Sequence, residues 1–375
     1  MPVSFFINFA LLLGELLTMS KNFFRKLHLW LSVPFGLILV LICLSGAILL
    51  FERDFGYIGQ AEVVSNGNKP LPLDSILNAT ENYLSGNNSI VGVTTYPDSE
   101  HAYKVMLAKP AMAALWVDQY TGEVLGQYER AKIFKIASSA HRRLFGKSKA
   151  EGAFGAKSGK LIIGISTISL LLIIISGLII WWPKKGNLKD ALKITTNKGA
   201  YRFWFDFHCV GGVVSSFVLI VCIITGLNWS FKWYRDGFYA VLGSNVAKSA
   251  SHKTPAENFI AWERAYNEIK SLNPYAEIRM YQGDADVVEG GFGNQQAYKT
   301  YSFDSNDGKI TSVLPYSEKE RSNHIKGWIY TLHVGSWAGW ITKIFYLLSV
   351  IIGAILPITG YYLWIKRLII KRKHH

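Results

Sequence analysis

Four of the nine histidines stand where imidazole could do more than face water. His28 opens an apolar run, LHLWLSVPFGLILVLICLSGAILLF counted from Leu27, and His208 opens a second, FHCVGGVVSSFVLIVCIITGLNWSF. His28 precedes Gly46 by eighteen residues, and His208 precedes Gly226 by eighteen. His141, in AHRRLF, and His333, in LHVG, each lead toward a later apolar run. Every one of the four thus has a counterpart in the other half of the chain. A histidine repeated at one depth of two apolar helices points to one object held between them. Neutral imidazole is a good axial ligand for haem iron, and two such ligands suit electron transfer because neither face of the metal stays open. The pattern therefore predicts two haems, one held by His28 and His208 and one by His141 and His333, near opposite faces of a membrane. With no CxxCH motif, any haem is non-covalent. Gly36, Gly46, Gly211, Gly212 and Gly226 are the small residues expected to admit the ring.

A membrane histidine can instead bond a neighbouring helix, and membrane glycines serve packing. Two symmetry-related pairs tip the balance toward ligation. Twenty residues separate His141 from Leu161, so its segment must fold back or lie along the surface. His324, nine residues before His333, is a rival ligand or a substrate-side residue. His101 and His252 lie in polar segments and read as surface histidines, and His374 and His375 end the chain.

The elements that must position these side chains are membrane helices. Half of the 375 residues are hydrophobic and 18% are charged. Apolar runs of spanning length occur at about 29–51, 161–182, 209–231 and 344–365. A bilayer core takes roughly 20 apolar residues per helix, and lipid offers no partner for an unpaired backbone amide. The fold class is therefore membrane α-helical, with four transmembrane helices in two parallel repeats. Each repeat carries a small periplasmic α+β module. The landmarks of the repeat continue past the first and third spans. Gly177 and Gly360 each follow Ser or Thr, and each precedes a tryptophan by four residues.

Between the spans the composition turns polar. Leu73–Leu84 has helical spacing, Ile90–Thr95 and 102–107 alternate like strands, and 114–126 reads as a hairpin turning at Asp118 to Gly122. The second long loop repeats this more loosely. A helix is expected over 255–272, with Trp262, Tyr266 and Ile269 on one face, and strands over 276–281 and 297–303. The spacing from Asp304 through Gly308 to Ile310 repeats that of Asp118, Gly122 and Val124. The divisions are an N-terminal extension or interfacial helix (1–18), span one (19–51), the first module (52–140) and an outer segment with span two (141–182). There follow a cytoplasmic loop (183–206), span three (207–231), the second module (232–323), an outer segment with span four (324–367) and a tail (368–375). Residues 1–18 lack a basic start and contain Glu15, which argues against a secretory signal, and Met19 is an alternative beginning.

The net charge of +14 is distributed unevenly. Lys21, Arg25 and Lys26 precede span one. Lys184, Lys185, Lys189, Lys193, Lys198 and Arg202 fall between spans two and three. Lys366, Arg367, Lys371, Arg372 and Lys373 follow span four. By the positive-inside rule this side is cytoplasmic, so both termini are cytoplasmic and the long loops periplasmic. Arg142, Arg143, Lys147, Lys149, Lys157 and Lys160 crowd the outer mouth of span two, where they could attract an anionic chelate, bind haem propionates or meet lipid phosphate. The four spans speak against a nucleic-acid binder. The three cysteines, at 43, 209 and 222, lie in or beside spans and imply no disulfide framework. The glycines at 290, 291 and 293 lack the context of a dinucleotide site, so the electron donor must be external.

The sequence resembles the PepSY-associated transmembrane family. The likeness runs from about Lys21 to Arg367 and rests on LHLW at 27–30, VDQYTGEV at 117–124, the Trp181-Trp182 pair, Phe207-His208 and Leu332-His333. The second module departs from the hairpin pattern, with FDSNDGKI at 303–310. The family includes inner-membrane reductases of ferric siderophores that carry haem b. The resemblance thus implies two haem b groups at His28, His208, His141 and His333, in a bacterial inner-membrane protein. Electrons would come from a quinol or a cytoplasmic reductase and go to a ferric siderophore or another periplasmic iron chelate. A substrate groove is expected between the two modules. The rival readings are a non-enzymatic PepSY protein that binds periplasmic peptides or a partner, and an importer of iron chelates. The absence of charge from 29 to 51 disfavours the importer.

Overall fold

The computed structural model describes residues 21–56, 62–65, 67–110, 113–146, 155–183, 187–246, 254–289 and 292–372. Residues 1–18, His252, His374, His375, the glycines at 290 and 291, and Lys147, Lys149, Lys184, Lys185 and Lys373 lie outside them.

Among the described residues, four helices have the length and apolarity to cross a bilayer, and they mark a membrane protein. They are α1 (Lys21–Leu49), α5 (Ala156–Trp181), α7 (Gly199–Ser230) and α11 (Gly339–Arg372). Each is longer than its apolar run, because the polar ends continue the helix past the hydrocarbon. They pack as a ring in which α1 touches α5 and α11, and α7 touches the same two. Small and hydroxyl residues line the seams. The buried side of α5 carries Gly159, Gly164, Ser166, Ser169 and Ser176, as expected where backbones approach closely without a hydrophobic drive. Ser166, Ser215 and Ser349 bond the carbonyl four residues back, so these hydroxyls find a partner within their own helix. Large apolar side chains such as Leu37, Phe217 and Ile341 face outward, which is the correct side when the solvent is lipid.

The loops that follow α1 and α7 build one structure, not two. Helix α2 (Glu52–Phe55) precedes the first module, and α3 (Leu73–Leu84), β1 (Ile90–Thr95), β2 (Tyr103–Leu107), β3 (Ala114–Val117) and β4 (Val124–Gln127) make up its body. Helix α4 (Lys132–Arg143) then leads back to α5, and the short α6 (Leu188–Ala191) joins α5 to α7. In the second half come α8 (Lys232–Val241), α9 (Phe259–Leu272), β5 (Ile278–Tyr281), β6 (Asp284–Val288), β7 (Tyr298–Phe303), β8 (Ile310–Leu314) and α10 (Arg321–His333). The strands form a single antiparallel sheet in the order β4-β3-β2-β1-β5-β6-β7-β8. The join pairs Gly92 with Tyr281 and Thr95 with Ile278.

Helices α3 and α9 pack together on one face of this sheet. Leu73, Ile76, Leu77, Trp262, Tyr266 and Ile269 share one core with Val93, Val105, Val117, Met280 and Tyr301. The first amide of α3 donates to the Glu263 carboxylate on α9, so one module caps the helix of the other. The expected groove between modules is therefore filled by a common core and closed by the β1–β5 ladder. Each module has four strands, where the alternation predicts two or three. The duplicated turn is reproduced closely. Gly122 and Gly308 both have φ of 74°, and each amide donates to the aspartate carbonyl four residues back.

Two corrections concern single residues. His101, expected at the surface, is buried with its ring centroid 4.1 Å from that of Tyr96. His324 lies against Tyr316 at 4.3 Å, and the partner of His141 is His333.

Candidate functional site

The histidine seats follow one rule. Each ring leaves its own helix and lies against a glycine on another. His28 of α1 meets Gly177 of α5, and His208 of α7 meets Gly360 of α11. His141 of α4 meets Gly46 of α1, and His333 of α10 meets Gly226 of α7. The ring carbon Cε1 lies 3.2, 3.4, 3.2 and 3.0 Å, in that order, from where a Cβ on the glycine would stand. A side chain there would push the ring aside, which is why the position is glycine.

The ring nitrogen Nδ1 is held by the same stretch of helix. That of His28 donates to Ile173 O at 3.0 Å and that of His141 to Ile42 O at 3.0 Å. In the other half, Nδ1 of His333 donates to Cys222 O at 3.1 Å, and Nδ1 of His208 lies 2.9 Å from Thr359 Oγ1, within hydrogen-bond distance. In each case Nδ1 is engaged at the seat. The fold thus presents Nε2 as the free nitrogen.

The four rings come together as two pairs, as the spacing predicts. His28 and His208 have ring centroids 6.2 Å apart at an interplanar angle of 82°. His141 and His333 are 6.1 Å apart at 65°. The first pair lies near the start of α1 and the second at the sheet end of the bundle. Eighteen residues of α1 separate His28 from the seat of His141, which is about 27 Å of helix at roughly 1.5 Å per residue. Members of a pair come from opposite halves of the chain, so both pairs lie where the two repeats face each other.

This spacing can be tested against a metal. A metal–imidazole bond is about 2 Å, and the centre of a five-membered ring with bonds near 1.33 Å lies about 1.1 Å behind its nitrogen. Two rings on opposite sides of one metal should then have centroids about 6 Å apart, and both pairs meet that value. Among the described residues no group of three or more His, Cys, Asp or Glu could hold a metal ion. Each pair has the spacing that two imidazole ligands of one metal would need.

Between the pairs the bundle has an apolar core. Cys43, Ile174, Val218, Leu219, Ile223, Val350 and Ala354 form a buried apolar cluster. The expected ring-admitting glycines divide into two groups. Gly46 and Gly226 are histidine seats, but Gly36 faces Tyr361, whose hydroxyl donates to Val33 O at 2.6 Å. Gly211 packs on Ile352, and Gly212 has nothing within 4 Å. The sequence reading missed Gly177 and Gly360 as seats. Their signal was present in the repeated Ser/Thr-Gly pair, but which helix a histidine reaches cannot be read from one helix at a time.

At the sheet end, the face opposite α3 and α9 carries charged groups beside an aromatic cluster of Trp116, Tyr96 and Tyr128. Lys104 lies 3.5 Å over the Tyr128 ring, and burial, with Arg279 beside it, holds its ammonium below the usual lysine range. Arg279 pairs with Glu277 at 2.7 Å, and Lys319, two residues before α10, donates to Thr300 Oγ1 at 2.7 Å. Two ion pairs fix this end to the bundle. Glu52 binds Arg130 in a two-point contact, and Asp54 takes both its oxygens to Lys343 Nζ at 2.7 and 2.6 Å.

A four-helix membrane bundle with histidines paired across its two halves, and one eight-stranded antiparallel sheet at one end, defines the class. The PepSY-associated TM region family matches residues 25–367, and the chain belongs to that family. No curated protein matches the sequence.

Proposed function

We propose that this protein is a transmembrane reductase that passes electrons to a periplasmic ferric chelate of the siderophore type and releases Fe(II). Two non-covalent b-type haems would be held by His28 with His208 and by His141 with His333. The observation that carries this reading is the pair of 6.2 and 6.1 Å ring separations at two depths of one bundle. When bound, haem would supply a one-electron Fe(III)/Fe(II) couple, with His28, His208, His141 and His333 as the residues that hold it.

The chain's own residues do the rest. The seat glycines let the Cε1–Nδ1 edge of each ring approach a neighbouring helix closely, and the engaged Nδ1 would leave Nε2 as the ligating atom. The apolar cluster between the pairs excludes water and ions, so only electrons have a route. One site could not serve both faces of about 27 Å of helix, whereas two divide the distance. The basic segments favour a cytoplasmic far end, where a quinol or a reductase would deliver electrons. The chelate would approach from the sheet end, near the face that carries Lys104, Arg279 and Lys319. Fe(II) is held less firmly than Fe(III) by hard oxygen ligands, so reduction frees the metal.

The test is an optical spectrum of the purified protein, oxidised and then reduced with dithionite, followed by anaerobic mixing with a ferric hydroxamate and an Fe(II)-specific dye. The expected result is a Soret band that shifts on reduction, then reoxidises as dye-bound Fe(II) forms. A protein without a Soret band refutes the reading and favours a binding module.

A further inference from the structure

Each histidine seat also carries a hydroxyl. Ser176, Ser45, Thr359 and Thr225 immediately precede the four seat glycines. Their oxygens lie 3.2, 3.3, 2.9 and 3.0 Å from Nδ1 of His28, His141, His208 and His333. A hydroxyl has one proton to give and lone pairs to receive. Here the proton is already committed to the parent helix. Ser176 donates to Ile173 O at 3.0 Å, Ser45 to Leu41 O at 2.5 Å, Thr359 to Leu356 O at 2.9 Å and Thr225 to Val221 O at 2.6 Å. The oxygen can then only accept, so the proton of the neutral ring stands on Nδ1. At His28, His141 and His333 a backbone carbonyl of the same turn accepts as well. Back-bonding serine and threonine are common in membrane helices and usually serve only their own helix. What is unusual is four of them, each one residue before a seat glycine and each within reach of a ring nitrogen.

We propose that Ser45, Ser176, Thr225 and Thr359 are positioning residues that fix the Nδ1 proton and thereby set how strongly each Nε2 donates to iron. The inference rests on the haem reading given above. An acceptor that draws on the Nδ1 proton makes the ring a more basic ligand. A more basic ligand stabilises the more positive, oxidised iron. Each hydroxyl therefore lowers the reduction potential of its own site and leaves the other site unchanged.

The experiment is a potentiometric titration of the full-length, haem-loaded protein, followed optically. Ser45→Ala and Thr225→Val should raise the midpoint of the sheet-side site alone, and Ser176→Ala and Thr359→Val that of the far-side site alone. The expected change in the oxidised-to-reduced ratio at fixed potential is up to roughly tenfold, equivalent to about 59 mV for one electron. The exchanges Ser45→Thr and Thr225→Ser keep the acceptor and should keep the midpoint. Unchanged midpoints in all four deletion variants, or both sites moving together in each, would overturn the assignment. Nitrogen-15 NMR of histidine-labelled protein prepared without haem reads the tautomer independently of iron. Nδ1–H in all four rings supports the positioning role, and Nε2–H overturns it. A wild-type protein that never takes up haem sinks the haem reading, and the tautomer result then stands or falls by itself.

Discussion

His28 in the first half and His208 in the second make the same contact, with Cε1 3.2 Å from the Cβ position of Gly177 and 3.4 Å from that of Gly360. His141 and His333 match to a similar degree on Gly46 and Gly226. Away from these seats the halves part company. Lys343 and Lys160 both stand seventeen residues before their seat glycines. Lys343 is 7% exposed and paired with Asp54, while Lys160 is exposed. Gly122 and Gly308 share one φ, yet a Cβ on Gly122 would stand 3.4 Å from Ala79, and one on Gly308 only 2.1 Å from Ala261 O. The halves therefore coincide at the histidine seats. They differ elsewhere, within each half as at Gly122 and Gly308 and across the boundary as at Lys343.

The largest expected effect comes from breaking the shared points. His28→Ala and His208→Ala should each abolish the same site, leaving about half the pigment by pyridine haemochrome assay, since a methyl group cannot replace an axial imidazole. His141→Ala and His333→Ala should remove the other half and give a different residual spectrum. Four single variants with full, unaltered haem content would refute the pairing. Gly177→Val and Gly360→Val should phenocopy the far-side histidine losses, because the added carbons occupy the ring's place. Normal haem content in both would mean that the seats are incidental.

Much of this was legible in the sequence. The four spans showed as apolar runs, and α3 and β1 were predicted to the residue because their periodicity is clean. The histidine types and their pairing were legible because duplication labels them. Strand β6 was missed because Asp284 and Asp286 alternate with buried Ala285 and Val287 right after Gly283, which reads as a turn. The β1–β5 join was invisible, since pairing between distant strands leaves no local mark. His101 read as polar surface because Tyr96 and Trp116, which enclose it, belong to separate strand segments.

A middle-sized effect should sharpen the contrast between the two lysines. Asp54→Asn leaves the Lys343 ammonium largely buried without its carboxylate, at a cost of about 3–5 kcal/mol. The thermal midpoint of the protein in detergent should fall by several degrees or more. Lys160→Met should stay within about 0.5 kcal/mol of the parent. Equal shifts in the two variants would show that the halves are more alike here than the geometry indicates. The smallest effect belongs to the turns. Gly122→Ala should cost about 1–2 kcal/mol for the left-handed backbone alone. Gly308→Ala should cost clearly more, because Ala261 O is in the way, and denaturant melts of the two variants would rank them.

The ladder from β1 to β5 has a mechanical consequence. Transporters built from two repeats work by rocking one against the other, which needs the halves to separate alternately at each face. Here one sheet of eight strands is stitched across the boundary, and Asp54 on one half grips Lys343 on the other. A seam laced at its sheet end resists opening there, and so holds His141 and His333 at the separation the structure shows.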